Sequence, residues 1–238
     1  MQNGWCLGNK YNVTANLVQT LNVITTPWYF MGPLCDPPIT SATFGITANS
    51  LLVPFVVAGA GIATTTVSSS SGIPLFALRG GASVRFTAMI ANSTAAGSYI
   101  IQSYNSQGFC DLMNFKGNSN TIAIYVLAFG GYVQCTGPLT ISTGFNYWMS
   151  AEDYGMFNCE CVLTITGTPA WATVFMQVDW LSHANLQLAG STGSSTGKRW
   201  IAITNGYINA NGSGCDTGTA PIPGGTSGTA NSGGGCSD

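Results

Sequence analysis

Apolar and β-branched residues recur in short runs along this chain, at Leu21–Phe30, Leu51–Val57, Val84–Ala91, Ser98–Tyr104, Thr121–Phe129, Val162–Thr166, Ala172–Val178 and Trp200–Ile208. Turn formers separate them, among them Asn105-Ser106-Gln107-Gly108, Gly130-Gly131 and the stretch Ser191–Gly197. Several runs alternate with period two. In VRFTAMI, Val84, Phe86, Ala88 and Ile90 fall on one face of an extended strand. Only Asn16–Val23 has the pattern of a helical turn or two. The expected fold is all-β: an eight-stranded antiparallel jelly-roll sandwich with long loops. The organisation expected with it is an N-terminal arm over 1–20, a jelly-roll domain over 21–210 and a Gly/Ser/Thr-rich C-terminal tail over 211–238.

Composition narrows the classes. The 238 residues include 6 Lys or Arg and 8 Asp or Glu, and charged residues make up 6%, against roughly a quarter in an ordinary soluble domain. Hydrophobic residues reach 45%, so Gly, Ser, Thr and Asn have replaced charge rather than core. A coiled coil needs Glu, Lys and Arg, and a charged disordered chain needs high net charge with few apolar residues. The formal net charge of -2 offers no basic stripe for phosphates. A chain this poor in charge lacks the surface that discourages association, which points to a surface covered by neighbouring subunits. The stretch Leu51–Ala63 is too short for a membrane span and is interrupted by Pro54, and the N-terminus has no secretory pattern.

The eight cysteines, Cys6, Cys35, Cys110, Cys135, Cys159, Cys161, Cys215 and Cys236, fall below disulfide-scaffold density and include no C-x-x-C pair. They read mainly as reduced, buried or semi-buried thiols, with intrachain and intersubunit disulfides left open. Cys159 and Cys161 point to one face of a strand, too close for a relaxed bridge. Three Asn-x-Ser/Thr sequons, at Asn12, Asn92 and Asn211, are expected by chance in such a composition. The last 28 residues hold nine glycines and one large apolar side chain, Ile222. Such a segment is flexible alone, and docking onto another subunit would order it.

Candidate chemistry is sparse. His183 is the single histidine and no serine sits in a nucleophile elbow, so it reads as a loop or strand-edge residue. Glu152-Asp153 read as solvated loop charges. Gly80-Gly81 lack the Lys of a phosphate loop. Six tryptophans have no interleaved basic residues, which leaves little for RNA stacking. No enzyme, cofactor or metal site is expected. The segment Pro74–Ile90 places Arg79 and Arg85 around a Gly-Gly corner. A fixed arginine there needs carbonyls or carboxylates, while an ordinary glycine corner with solvated arginines accounts for the same residues.

LFALRGGASVRF resembles the F-x-x-x-R-G-G-x-R-(Y/F) segment of picornavirus-like capsid proteins, the jelly-roll subunits of dicistroviruses, iflaviruses and marine algal RNA viruses. Phe76, Arg79, Gly80, Gly81, Arg85 and Phe86 match, with one extra residue before Arg85. Ser142–Met156 and Ala172–Leu188 are weaker echoes in the same order. The resemblance implies a structural capsid subunit of a non-enveloped icosahedral single-stranded RNA virus. Such a subunit assembles in the host cytoplasm with sister subunits into the virion, touches genome RNA weakly or indirectly, and meets a host receptor. It further implies a maturation role for the acidic triplet Glu152, Asp153 and Tyr154, a variant of Asp-Asp-Phe. Two other readings stay open: an extracellular filament or surface-layer subunit, and a secreted carbohydrate-binding β sandwich using Trp and Asn in its loops.

Overall fold

The computed structural model describes residues 10–13, 28–31, 55–69, 72, 74–79, 81–127, 130–218 and 221–238. Every strand pairing among them is parallel, and a strand's partners come from the preceding and following coils of the chain, not from its sequence neighbours. Tyr132 is flanked by Gln107 and Met156, and Met156 by His183, so about 25 residues complete one coil. The result is a parallel β-solenoid of about 7 turns. This overturns the antiparallel jelly roll, and with it the sandwich. The connections are corners that turn the chain from one face to the next, and none of them folds a strand back on its predecessor as a hairpin would.

Three faces can be traced. The first carries β1 (Lys10–Val13), β3 (Phe55–Gly59), the first halves of β6 (Ser83–Ser93) and β8 (Gln107–Lys116), then β10 (Tyr132–Cys135), β13 (Met156–Glu160), β16 (His183–Gln187), β18 (Tyr207–Asn209) and β20 (Gly235–Ser237). The second carries β4 (Thr66–Ser69), the second halves of β6 and β8, β11 (Leu139–Ile141) and β14 (Leu163–Ile165). The third is an 8-stranded sheet: β2 (Trp28–Met31), β5 (Phe76–Arg79), β7 (Tyr99–Tyr104), β9 (Ile122–Leu127), β12 (Tyr147–Glu152), β15 (Ala170–Val178), β17 (Thr196–Ala202) and β19 (Thr229–Ala230). Of the arm expected over 1–20, only β1 is described, and the helical turn expected at Asn16–Val23 lies outside the described residues.

Alternation does mark strands here, but it slips where a strand rounds a corner. Val84 and Phe86 are buried, and so are Met89 and Ala91, while Ala88 and Ile90 are not. Ala88 lies at φ 57°, a left-handed residue that bends β6 between the first and second faces. Leu112, at φ 47°, does the same for β8.

Each buried position stacks on its counterpart one coil away. Val84, Gly108, Val133, Phe157, Ala184 and Ile208 form one interior column, and Phe86, Cys110, Cys135, Cys159 and Leu186 the next. Phe76 and Phe86 face each other across the core at 4.5 Å between ring centroids. Fully buried Trp148 stacks on Phe175 at 4.6 Å and meets Phe157 edge-on. Such aromatic contacts contribute beyond area burial. Cys110, Cys135, Cys159 and Cys161 are buried free thiols, with Cys159 Sγ and Cys161 Sγ 2.9 Å apart and unbridged. Burial pushes the Cys135 thiol well above its ordinary value. Cys6 and Cys35 lie outside the described residues.

The Gly-rich tail is held by its own chain. Residues 211–238 complete the last coil, where Cys215 and Cys236 form a disulfide and Ile222 is fully buried. Asp216 Oδ1 accepts from Trp200 Nε1 at 3.2 Å and Gly228 N at 2.8 Å, and Asp238 Oδ1 accepts from Cys215 N at 2.7 Å. Among the described residues no helix is long and apolar enough to cross a membrane.

Candidate functional site: an acidic and aromatic corner

The corner leading from the third face to the first repeats in each coil. Its turns hold one or two residues at positive φ: Gly81, Asn105, Gly130, Asp153 with Tyr154, Trp180 with Leu181, Thr204 with Asn205, and Ser232 with Gly233. Gly and Asn adopt this conformation readily, whereas a bulky side chain there costs roughly 1–2 kcal/mol. Two adjacent coils break that rule. Tyr154 at 66°, Trp180 at 49° and Leu181 at 57° hold large side chains in left-handed backbone. Backbone bonds stack these turns, Tyr154 N donating to Trp180 O at 3.0 Å and Leu181 N to Thr204 O at 3.1 Å.

The strained side chains are displayed to solvent. Trp180 is 57% exposed and Leu181 52%, and Tyr154 beside them is also exposed. Elsewhere in the core, aromatic rings stack on one another, yet the Trp180 ring makes no ring contact among the described residues. Exposed apolar residues gathered in a patch mark contact surfaces.

Acids surround this patch. In the register, Ala151 pairs with Val178, so Glu152 and Asp179 follow as neighbours one coil apart, and Asp153 and Trp180 come next. Glu152 is fixed: its Oε2 accepts from Tyr125 OH at 2.9 Å and its Oε1 from Ser150 Oγ at 3.0 Å. Burial and the Glu152 carboxylate push the Tyr125 phenol well above its ordinary value. Asp179 Oδ1 accepts from Trp180 N at 2.7 Å, which fixes the turn that presents the indole. Asp153 is exposed at the tip. No Lys or Arg occurs between Lys116 and Lys198, a segment that holds Glu152, Asp153, Glu160 and Asp179.

The first face adjoins this corner, and its unburied positions are polar. One row runs Tyr132, Met156, His183 and Tyr207, with the His183 and Tyr207 rings stacked at 5.4 Å. The next runs Gln134, Asn158, Asn185 and Asn209, in which Asn185 Nδ2 donates to Asn158 Oδ1 at 3.2 Å. His183 is thus a half-buried strand residue in a stack.

The resemblance-based residues separate across the fold. Glu152, Asp153 and Tyr154 stand at the acidic corner, as part of a larger group than the triplet alone. Phe76 and Phe86 are core residues. Arg79, two coils before Asp153's turn, has Nη1 donating to Leu78 O at 2.9 Å and Nη2 to Gln102 Oε1, with its guanidinium 5.6 Å from the Tyr104 ring centroid. It therefore satisfies itself on carbonyls. Arg85 Nε lies 3.3 Å from Asp111 Oδ2, an ion pair without hydrogen-bond alignment. Gly81 takes φ 78°, as a corner glycine should, and Gly80 lies outside the described residues. Asp179, Trp180 and Leu181 are the residues sequence reasoning passed over. A Trp-Leu pair in a turn gives no local signal until the coil period is known. Among the described residues no group of three His, Cys, Asp or Glu side chains is placed to hold a metal ion. Comparison with protein-family models, with curated proteins and with solved structures finds no match.

Proposed function

We propose that this chain is a carbohydrate-binding solenoid that acts outside the cell and engages its ligand at the Tyr154–Trp180–Leu181 corner. The carrying observation is Trp180, more than half exposed and kept in left-handed backbone beside Leu181, where other corners use Asn or Gly. Strain at a displayed side chain, with no packing role for the ring, is what a contact residue requires. Sugar rings present polarised C–H faces that pack on the negative face of an aromatic ring. Their hydroxyls donate to carboxylates and amides, and Asp153, Glu152 and the amide row supply acceptors at that distance from the ring. The disulfide between Cys215 and Cys236 fits an oxidising compartment. The shell-subunit reading drew its support from a jelly roll, and in the solenoid the Arg79–Gly81 corner is an ordinary turn of the coil.

The test is a screen of immobilised glycans with the wild-type chain and Trp180→Asn, a change to the residue type that occupies matching corners. Wild type should retain specific glycans, Trp180→Asn should lose them by tenfold or more with an unchanged far-UV spectrum, and Trp180→Phe should bind between the two. Equal retention by wild type and Trp180→Asn would show that the corner is not the binding element.

A further inference from the structure

At the far side of the first face, across the strands from the aromatic corner, a groove of about 360 Å³ opens between coils, lined by Thr136, Gly137, Pro138, Glu160 and Gln187 among others. Two strands connect the corner to it. Along β13 the unburied positions run Tyr154, Met156, Asn158 and Glu160, and along β16 they run Leu181, His183, Asn185 and Gln187. Each path is six residues, ~20 Å of extended chain, roughly four hexose units.

We infer that the ligand is an uncharged oligosaccharide of about four units. It lies across the strands from the Trp180 corner to the Glu160–Gln187 groove, perpendicular to the solenoid axis. This rests on the corner being a carbohydrate site and adds the direction, the length and the charge of the ligand.

Three observations fix the direction. Along the axis the large displayed side chains stop after two coils, at Thr204-Asn205 on one side and Gly130 on the other, so an axial chain would leave its platform at once. The rings of His183 and Tyr207 stack face to face along the axis, leaving edges rather than faces to a ligand running that way. Across the strands, by contrast, the residues beyond Met156 and His183 are amides and a carboxylate. Asn158 Nδ2 donates to Glu160 Oε1 at 3.0 Å, which leaves the second oxygen of that carboxylate for the groove. The charge follows from the same strands. They carry Glu160 and no cation, and the corner adds Glu152, Asp153 and Asp179, so uronic or sialic acids would meet uncompensated carboxylates.

The experiment titrates the full chain with gluco-, manno- and N-acetylglucosamine oligosaccharides of two, four and six units, and with a galacturonate tetramer. Variants are Trp180→Asn, Gln187→Ala and Glu160→Gln. Affinity should rise at least tenfold from dimer to tetramer and then level off, and the galacturonate should not bind. Gln187→Ala and Glu160→Gln should remove most of the dimer-to-tetramer gain while leaving the dimer's affinity unchanged. If Trp180→Asn abolishes binding but the groove variants leave the length dependence intact, the crossing is overturned and the corner site stands. Affinity that continues to climb from tetramer to hexamer also overturns it. If no oligosaccharide binds, or Trp180→Asn changes nothing, the corner site itself falls.

Discussion

Reducing the disulfide between Cys215 and Cys236 is expected to loosen one coil of the solenoid and leave the others intact. The bridge closes a segment of sequence separation 21, for which chain-entropy reasoning gives about 3 kcal/mol. What it reinforces is slender. β19 pairs with β17 through Thr229 and Ala230 alone, and β20 pairs with β18 through Gly235, Cys236 and Ser237. The remaining attachments are the buried Ile222, the Asp216 bonds to Trp200 and Gly228, and the cap of Asp238 on Cys215. In a solenoid each coil is stabilised by its neighbours, so the loss stays where the tie was. About 3 kcal/mol corresponds to roughly a hundredfold more frequent local opening. Amide hydrogen exchange with and without a phosphine reductant measures this directly. Asn231 N, which donates to Ala202 O, and Gly235 N, which donates to Gly206 O, should lose about that factor of protection. Tyr132 N and His183 N, bonded in the middle coils, should keep theirs. Cys215→Ser should reproduce the pattern. Unchanged protection at Asn231 and Gly235, or a uniform loss across the middle coils, would refute the reasoning.

Two further outcomes follow from contacts between coils. A Cβ at Gly144 would overlap the Ala170 carbonyl of the next coil, whereas one at Gly235 meets nothing within 4 Å. Gly144→Ala should therefore lower the denaturation midpoint by an amount equivalent to about 1–3 kcal/mol, and Gly235→Ala should leave it unchanged; equal effects would contradict the stacking. The Tyr125 phenol is raised by burial and by the Glu152 carboxylate, so its folded-state value lies above that of the unfolded chain. The sign is that its contribution is complete below about pH 10 and is lost as pH rises further. Thermal melts should show alkaline destabilisation that Tyr125→Phe reduces, and an identical alkaline limb in both proteins would exclude this origin.

How much of this was legible in the chain can be traced residue by residue. All-β character was, because β-branched runs and turn formers are local signals: Ser98–Tyr104 overlaps β7 and Thr121–Phe129 overlaps β9. Strand direction was not, because parallel and antiparallel partners impose the same alternation on one strand. The distinguishing signal was the coil period of about 25 residues. It is blurred here because corner lengths vary and because the repeated positions share a size class rather than an identity. Val133, Phe157 and Ala184 stack directly, yet nothing in their identities marks them as equivalent. The cysteine column Cys110–Cys135–Cys159 was the one visible trace of the period, at 25 and 24 residues, and it reads as a repeat only after the coil is known. Trp200–Ile208 looked like one run and is two strands on different faces, since Thr204 and Asn205 round a corner at φ 50° and 60°. The acidic triplet was noticed for a family resemblance, and its neighbours Asp179, Trp180 and Leu181 lie 27 residues away in sequence and one coil away in space.

The scarcity of charge, first read as the mark of a chain covered by neighbours, has an explanation inside the fold. Every surface position on a parallel ladder has a counterpart about 4.8 Å above and below it, and like charges at that spacing repel. A solenoid surface thus favours Ser, Thr, Asn and Gln, which hydrogen-bond along the ladder, and it keeps charge where a partner absorbs it. Arg79 is taken up by carbonyls and a tyrosine ring, Arg85 by Asp111, and Glu152 by Tyr125 and Ser150. That explanation removes any need for a covering subunit, and it makes the acidic corner the exception to be explained. Glu152 and Asp179 are stacked like charges, with Asp153 beside them and no Lys or Arg in the segment from 117 to 197. The same two coils hold Tyr154, Trp180 and Leu181 in strained backbone. Two independent departures from what a ladder favours, one electrostatic and one conformational, coincide on six residues. Stability alone selects against both, so a ligand that uses carboxylates and an open ring together is what retains them.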